Sequence, residues 1–436
     1  MKNKNKINIV TLGCSKNIVD SEYLIAQLAG NNFEVVHDSN DESAKTVIIN
    51  TCGFIKDAKE ESINTILNFA KAKEAGIIER LFVFGCLAER YKSDLRSEIP
   101  EVDDFFGAKN LKDIIKTIGG DFKDELLGDR VVTTPSHYAY MKISEGCDRN
   151  CSYCAIPLIR GGHVSEPIEN LTLQAAKLAA GGVRELLIIA QDSTYYGLDL
   201  YKKRKIAELL RRLSEVQGIE WIRLHYAYPL AFPDELISEI RDNPKICKYL
   251  DIPFQHISDK VLGKMRRGIT KTETYKLIER IRNEIPGIAL RTTLLVGHPG
   301  ETEKAFDELK QFVEDVRFER LGVFPYSEEE DTYAAANFRD SISNSMKMER
   351  ANEIMSLQNK ISGELNLAKK NRRMKVIIDR VEPDFIVSRS EHDSPEIDQE
   401  VLIYKNETNL RPGSFAEVKI VDTDDYDLYA QVLKLR

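Results

Sequence analysis

The chain has 436 residues, of which 42% are apolar and 30% charged, enough for the cores of about three domains of ordinary size. No run of 18 apolar residues occurs, which argues against a membrane span, and the start MKNKNKINIVTLGC lacks both a long apolar stretch and a small-residue cleavage site. The chain is therefore expected to work in the cytoplasm. Seven cysteines, an odd number, disfavour a disulfide framework there and point to metal or redox chemistry.

Over residues 5–121, short β-rich runs (Ile7–Leu12, Val47–Asn50, Leu81–Phe84) alternate with helical patterns at Leu24/Leu28, Ile63/Leu67/Ala70 and Leu111/Ile114/Ile115/Ile118. Spacings of three and four residues put each apolar set on one helix face, and strand–helix alternation predicts a parallel sheet flanked by helices. Residues 121–136 lose this rhythm and read as a linker. A second alternating series, over 133–366, offers six strands: Tyr138–Ser144, Glu185–Ala190, Trp221–Tyr226, Tyr249–Phe254, Ala289–Val296 and Arg320–Pro325. Helical patterns between them include Leu171/Ala175/Leu178, Ile278/Ile281/Ile285 and Phe306/Leu309/Val313. Six βα units predict an incomplete barrel, with its chemistry at the C-terminal ends of the strands.

A long polar helix, about Ser343–Lys370, is expected to end in the cations Lys369, Lys370, Arg372 and Arg373, which suit a helix C-terminus. Residues 367–436 then carry five short strand patterns and predict a small OB-like β-barrel. The fold class is thus α/β, in three parts. From Met374 to Arg436 there are 8 Lys/Arg against 14 Asp/Glu, a net of −6 out of −8 for the chain. Phosphate backbones repel such a surface, so a nucleic acid is the less favoured partner and a basic protein the more favoured one.

Cys147, Cys151 and Cys154 form C-x₃-C-x₂-C directly after the first strand of the second series. Three thiolates this close can hold three corners of a [4Fe–4S] cube and leave the fourth iron open. The alternative, a zinc knuckle, wants a fourth Cys or His; His163 stands nine residues on, at poor spacing. Cys14, Cys52 and Cys86 each lie just beyond an expected strand, 38 and 34 residues apart, about one βαβ unit each. Parallel strands end on one edge of a sheet, so these three thiols are expected to converge on a second metal centre; ordinary core thiols are the competing reading. Cys247 fits neither set and reads as a buried spectator.

C-x₃-C-x₂-C on a βα barrel resembles the radical S-adenosylmethionine (SAM) superfamily. That resemblance implies SAM chelated at the open iron and cleaved by one electron to a 5′-deoxyadenosyl radical, with Tyr153 packing near the adenine. Three N-terminal cysteines, this barrel and a terminal β-barrel matching a TRAM domain together resemble the methylthiotransferases over essentially the whole chain. The resemblance implies two [4Fe–4S] clusters, two SAM per turnover and an external electron donor. Within that family, LGCSKNIVDSE, KISEGCDRNCSYCAIPLIRG, AQDSTYYGLDL, WIRLHYAYP, YLDIPFQH and VGHPGET resemble the branch that modifies the β-carbon of an aspartate in small-subunit ribosomal protein twelve. The other branch modifies an adenosine in tRNA and more often shows GCQMN and an LPVQSGS-like stretch. Ser15 and His298 depart from the branch pattern, which has Pro and Phe there.

The same resemblance implies SAM contacts from Gly182, Glu185, Gln191, Gly297 and Gly300. Taken alone, Gly181 and Gly182 read as a helix C-cap, Gly297 and Gly300 as a tight turn, and Asp192 as a helix cap. Arg160 places a cation near the SAM carboxylate or the substrate carboxylate, or makes a surface salt bridge. His225, His256 and His298 sit at strand ends with no partner identifiable by spacing, and the run Glu328–Asp331 reads as a solvated loop.

Overall fold

The β-branched run KINIVT forms the first strand, β1 (Lys6–Thr11), of a five-stranded sheet, and the turn Leu12–Cys14 after it leads into α1 (Ser15–Gly30). Then follow β2 (Glu34–His37), β3 (Thr46–Thr51), α2 (Lys56–Glu74), β4 (Arg80–Gly85), α3 (Cys86–Glu98), β5 (Asp104–Phe106) and α4 (Leu111–Ile118). The strands are parallel and ordered β2-β1-β3-β4-β5. Its core has two layers, one around Ile49, Ile66 and Val83, the other around Ile9, Leu24, Phe82 and Ile114. The structure, a computed structural model, describes residues 6–126, 128–405 and 410–435. The tail Met1–Asn5, and with it the expected domain start at residue 5, lies outside these, as do Leu127 of the linker and the terminal Arg436.

The next elements are β6 (Tyr138–Lys142), β7 (Ser144–Glu145), α5 (Ile156–Arg160), β8 (Val164–Ser165), α6 (Ile168–Ala180), β9 (Glu185–Ile189), α7 (Leu198–Tyr201) and α8 (Ile206–Ser214). They are followed by β10 (Trp221–Leu224), α9 (Asp234–Asp242), β11 (Ile246–Asp251), α10 (Asp259–Lys264), α11 (Lys271–Glu284), β12 (Ala289–Val296), α12 (Glu303–Val316) and β13 (Arg320–Pro325). The six-stranded sheet runs β13-β12-β11-β10-β9-β6, an open sheet of the expected incomplete-barrel kind. After α13 (Tyr333–Asn337) and α14 (Asn344–Leu367), strands β14 (Arg373–Val381), β15 (Phe385–Ser390), β16 (Val401–Tyr404), β17 (Phe415–Thr423) and β18 (Leu428–Leu435) close a barrel in the order β14-β15-β16-β18-β17. Its one parallel pair is β16 with β18, as an OB-like strand order requires.

Several expected boundaries shift. β11 starts three residues before the expected strand and ends three before it, the early end because Pro253 has no N–H to give a ladder. β2 and β5 are too short to show a period of their own. The long helix ends at Leu367, and Arg373 opens β14 instead of ending the helix. In α2 the buried row is Ser62, Ile66 and Ala70, while Leu67 is exposed; the reason lies in the site below.

The chain divides into two compact units, Met1–Thr134 with Tyr140–Arg149 and Cys154–Lys177, and Pro135–Ala139 with Asn150–Tyr153 and Leu178–Arg436. This partition differs from the expected break near residue 133. In the first unit Cys147 N–H donates to Gly161 O, and α5 packs Ala155 and Ile159 against Cys86. In the second unit the small barrel is joined to the start of the parallel strands, where Ile377 and Phe415 pack on Trp221, Cys247 and Tyr249. There the loop Glu391–Asp398 reaches β10 to β13, as Arg223 donates to Glu391 O, Tyr249 to Asp398 at 2.9 Å, and Arg320 to Asp393.

Candidate functional site

In the first unit, the three strands that precede Cys14, Cys52 and Cys86 are neighbours, in the order β1-β3-β4. Their ends are level, Thr11 opposite Asn50 and Thr51 opposite Gly85. Cys14 caps α1, Cys86 opens α3, and Cys52 directly follows β3. Gly13 has φ +92°, and a Cβ there would meet Cys52 Cβ at 2.6 Å and its Sγ at 3.1 Å; glycine lets the Cys14 turn close onto Cys52. Ser62 accepts from Cys52 N–H at 3.0 Å and donates to Cys52 O at 3.1 Å. This hydroxyl is why a serine, not an apolar residue, takes the core position of α2.

Asn17 ties the three turns together. Buried, it donates to Leu12 O at 2.8 Å and Thr51 O at 3.2 Å, while Asn50 donates to the Asn17 carbonyl at 2.8 Å. Its side-chain oxygen accepts from Arg160 Nη2 at 2.8 Å. Arg160 Nε lies 3.2 Å from Cys86 Sγ, and Nη1 donates to Asp20 at 2.8 Å and Glu145 at 3.3 Å. Arg160 is only 2% exposed, so the expected surface salt bridge is a buried clasp on the first cysteine set. Lys142 shares Asp20 and Glu145 with it.

Burial pushes the Cys52 thiol up, and that of Cys86 up to about 11, with Arg160 pulling the latter back. Such thiols ionise only beside a cation or a metal. Among the described residues no three His, Cys, Asp or Glu side chains close as tightly as a single ion requires. Corner sulfurs of a four-iron cube stand farther apart than those around one tetrahedral zinc, with its Zn–S bonds of about 2.3 Å. Three thiols at the level ends of neighbouring strands, Gly13 before Cys14 and the guanidinium donor at Cys86 would suit such a cube.

Cys147 and Cys154 belong to the first unit and Cys151 to the second; all three are partly exposed on one loop. Gly146 has φ +74°, and a Cβ there would clash with Gly162 O, so this turn too demands glycine. His163, the zinc-knuckle candidate, pairs its Nε2 with Ser165 Oγ at 3.0 Å. In the second unit Arg267, 3% exposed, donates to Cys151 Sγ and Tyr153 Oη, each at 3.4 Å, and lies 4.2 Å over the Tyr228 ring. Tyr228 Oη is 3.6 Å from Cys151 Sγ. Sequence reading missed Arg267 and Ser62, which stand in no cysteine motif, and gave no role to Asn17, which stands in LGCSKNIVDSE.

Of the expected SAM contacts, Gln191 lies just past the end of β9, and Gly297 and Gly300 follow β12 with φ of +77° and +91°. These stand at C-terminal strand ends. Tyr153 meets His298 edge-on, ring centroids 6.3 Å apart. Gly182 and Glu185 are corrected: they sit at the opposite, N-terminal end of β9, and Glu185 is fully buried in ion pairs. It accepts from Arg223 at 2.9 Å and Arg389 at 2.6 Å. Burial pushes its pKa up, but the two guanidiniums outweigh that and hold it below the usual range.

Two of the three strand-end histidines do have carboxylates. His225 faces Asp251 at 3.7 Å and His256 faces Glu301 at 3.3 Å. His298, buried where the family pattern has Phe, lies 3.3 Å from Ser152 Oγ, and burial pushes its pKa down to about 4. Asp192 caps the turn after β9 through Thr194 N–H, and Glu329 is buried rather than solvated. Cys247 is a core thiol, pushed up to about 12 by burial.

Family models match three stretches: an uncharacterized protein family (UPF0004) over residues 6–107, the radical SAM superfamily over 141–313 and a TRAM domain over 372–433. The fold resembles the radical SAM methyltransferase TsrM of Kitasatospora setae, with TM-score 0.57 at 14% identity over 76% of this chain and 77% of that one. The chain is 55% identical over 433 residues to the ribosomal protein uS12 methylthiotransferase RimO of Bacteroides fragilis, covering 99% of this chain and 100% of the relative. It is 53% identical to the protein of the same name from Cytophaga hutchinsonii, over 99% and 98% of the two chains. The chain belongs to the ribosomal protein uS12 methylthiotransferase family of radical SAM proteins.

Proposed function

We propose that this chain adds a methylthio group to the β-carbon of an aspartate in ribosomal protein uS12, using two SAM per turnover. The observation that carries this is full-length identity above half to relatives named for that reaction, together with the convergence of Cys14, Cys52 and Cys86. Those three would hold one [4Fe–4S] cluster, and Cys147, Cys151 and Cys154 a second. When bound, the clusters and SAM supply the one-electron chemistry and the group transferred. The chain's own residues do the holding. Asn17, Ser62 and Arg160 fix the first cysteine set, and Arg267 orients Cys151 and Tyr153. Tyr153, Gln191, Gly297 and Gly300 are the SAM-contact candidates that remain.

The basic uS12 chain docks on the C-terminal barrel. Four of its carboxylates, Asp379, Glu391, Asp393 and Asp398, engage His137, Arg389, Lys248, Arg320 and Tyr249 within the second unit, so net charge overstates the outward field. The outward part is a ring cluster, Phe385, Tyr404 and Tyr429, with centroids 5.5–6.1 Å apart. Asp384, Asp424 and Asp425 are exposed on the same barrel. Aromatic faces with carboxylates suit lysine and arginine side chains. No described helix is long and apolar enough to cross a membrane, and the proposed place of work is the cytoplasm, with a soluble one-electron donor.

The test is anaerobic incubation of the reconstituted chain with SAM, a reductant and uS12, read by mass spectrometry. A gain of one methylthio group on the aspartate of uS12, and none on tRNA, is expected; the reverse outcome overturns the reading.

A further inference from the structure

We propose that Arg160 is a positioning residue that sets the electron affinity of the metal group on Cys14, Cys52 and Cys86. The proposal rests on the cluster assignment above. Arg160 ends the short helix that begins two residues after Cys154, yet its guanidinium is committed to the other cysteine set. Each nitrogen has its own acceptor: Nη2 on Asn17, Nη1 on Asp20 and Glu145, and Nε on Cys86 Sγ at 3.2 Å.

The charges explain why direction matters more than net charge. Two cations, Arg160 and Lys142, share two carboxylates, Asp20 and Glu145, so this group of four is neutral before any thiolate is counted. What Cys86 receives is an oriented N–H, held in plane by the fork's other bonds. Ala155 and Ile159 pack on the same sulfur-bearing residue and keep water from competing for it. A hydrogen bond to a ligating thiolate withdraws electron density from sulfur and favours the reduced metal group. Reduction here is uptake of one electron from an external reductant; Arg160 itself gains and loses nothing.

The experiment uses the full chain with Cys147, Cys151 and Cys154 all changed to Ala, reconstituted anaerobically with iron and sulfide. It should keep about four irons; a parent that binds none refutes the cluster assignment, a failure distinct from that of the Arg160 role. Dithionite titration followed by electron paramagnetic resonance then compares Arg160→Gln and Arg160→Lys with a Leu158→Ala control on the exposed side of the same helix. Both Arg160 variants should disfavour reduction at least tenfold, about 59 mV for one electron, because a lysine ammonium has no fork and its charge is drawn to Asp20 and Glu145. Leu158→Ala should match the parent. Parent potential in either Arg160 variant, with iron retained, overturns the proposal. If Arg160→Gln loses its iron, Arg160→Lys decides. Loss of iron from both, with Leu158→Ala intact, also overturns it, leaving Arg160 only a strut.

Discussion

Arg389 of the C-terminal barrel donates to Glu185 at 2.6 Å across 204 residues of chain, and neither side chain reaches solvent. Removing one partner of a buried pair strands the other charge, at a cost of about 3–5 kcal/mol. Glu185→Ala should therefore lower the melting temperature markedly, with SAM affinity of the folded variant unchanged in equilibrium binding. Parent stability with weakened SAM binding would return Glu185 to the cofactor.

Gly146 offers a sharper separation of the two cysteine sets. Alanine there collides with Gly162 O at a backbone angle that L residues rarely adopt. Gly146→Ala should lose the irons of the second set and all SAM cleavage, while keeping about four irons on the first. Iron and sulfide analysis of the anaerobically reconstituted variant, beside a Cys86→Ala variant that should show the opposite loss, is the check.

His298 predicts an acid weakness. Its pKa lies near 4 in the folded chain against about 6.5 when unfolded. Between those values the unfolded chain binds the extra proton, so stability is full above about pH 6.5 and falls as pH drops toward 4. At pH 5 the loss is about 2 kcal/mol. His298→Phe should remove that part of the decline, so the gap in melting temperature between pH 7.5 and pH 5 should narrow. An equal gap in both proteins would contradict it.

Asn17 is buried with its amide fully used. Asn17→Ala strands the carbonyls of Leu12 and Thr51 at about 1–3 kcal/mol and should release iron from the first set under chelator challenge faster than the parent does.

The grouping of the cysteines is visible in the sequence as spacing, one set within a loop and the other as a beat set by successive βα units, and the chemistry proposed for them rests on that grouping. The β-barrel was legible from strand density. What escaped was second-rank support. Ser62 sits in a helix row where periodicity asks for an apolar residue, and its use emerges only when α2 lies against Cys52. Arg267 is 114 residues past Tyr153, so nothing local links them. Gly182 and Glu185 were placed by family likeness, although the expected strand already began at Glu185, the end away from the chemistry of a βα fold. Net charge overstated the outward field of the barrel, since composition does not distinguish a carboxylate turned inward to Arg320 from one facing solvent.

The loop Glu391–Asp398 also has a bearing on traffic. Seated against the strand beginnings of β10 to β13, it stoppers that mouth of the open sheet with the chain's own tail end.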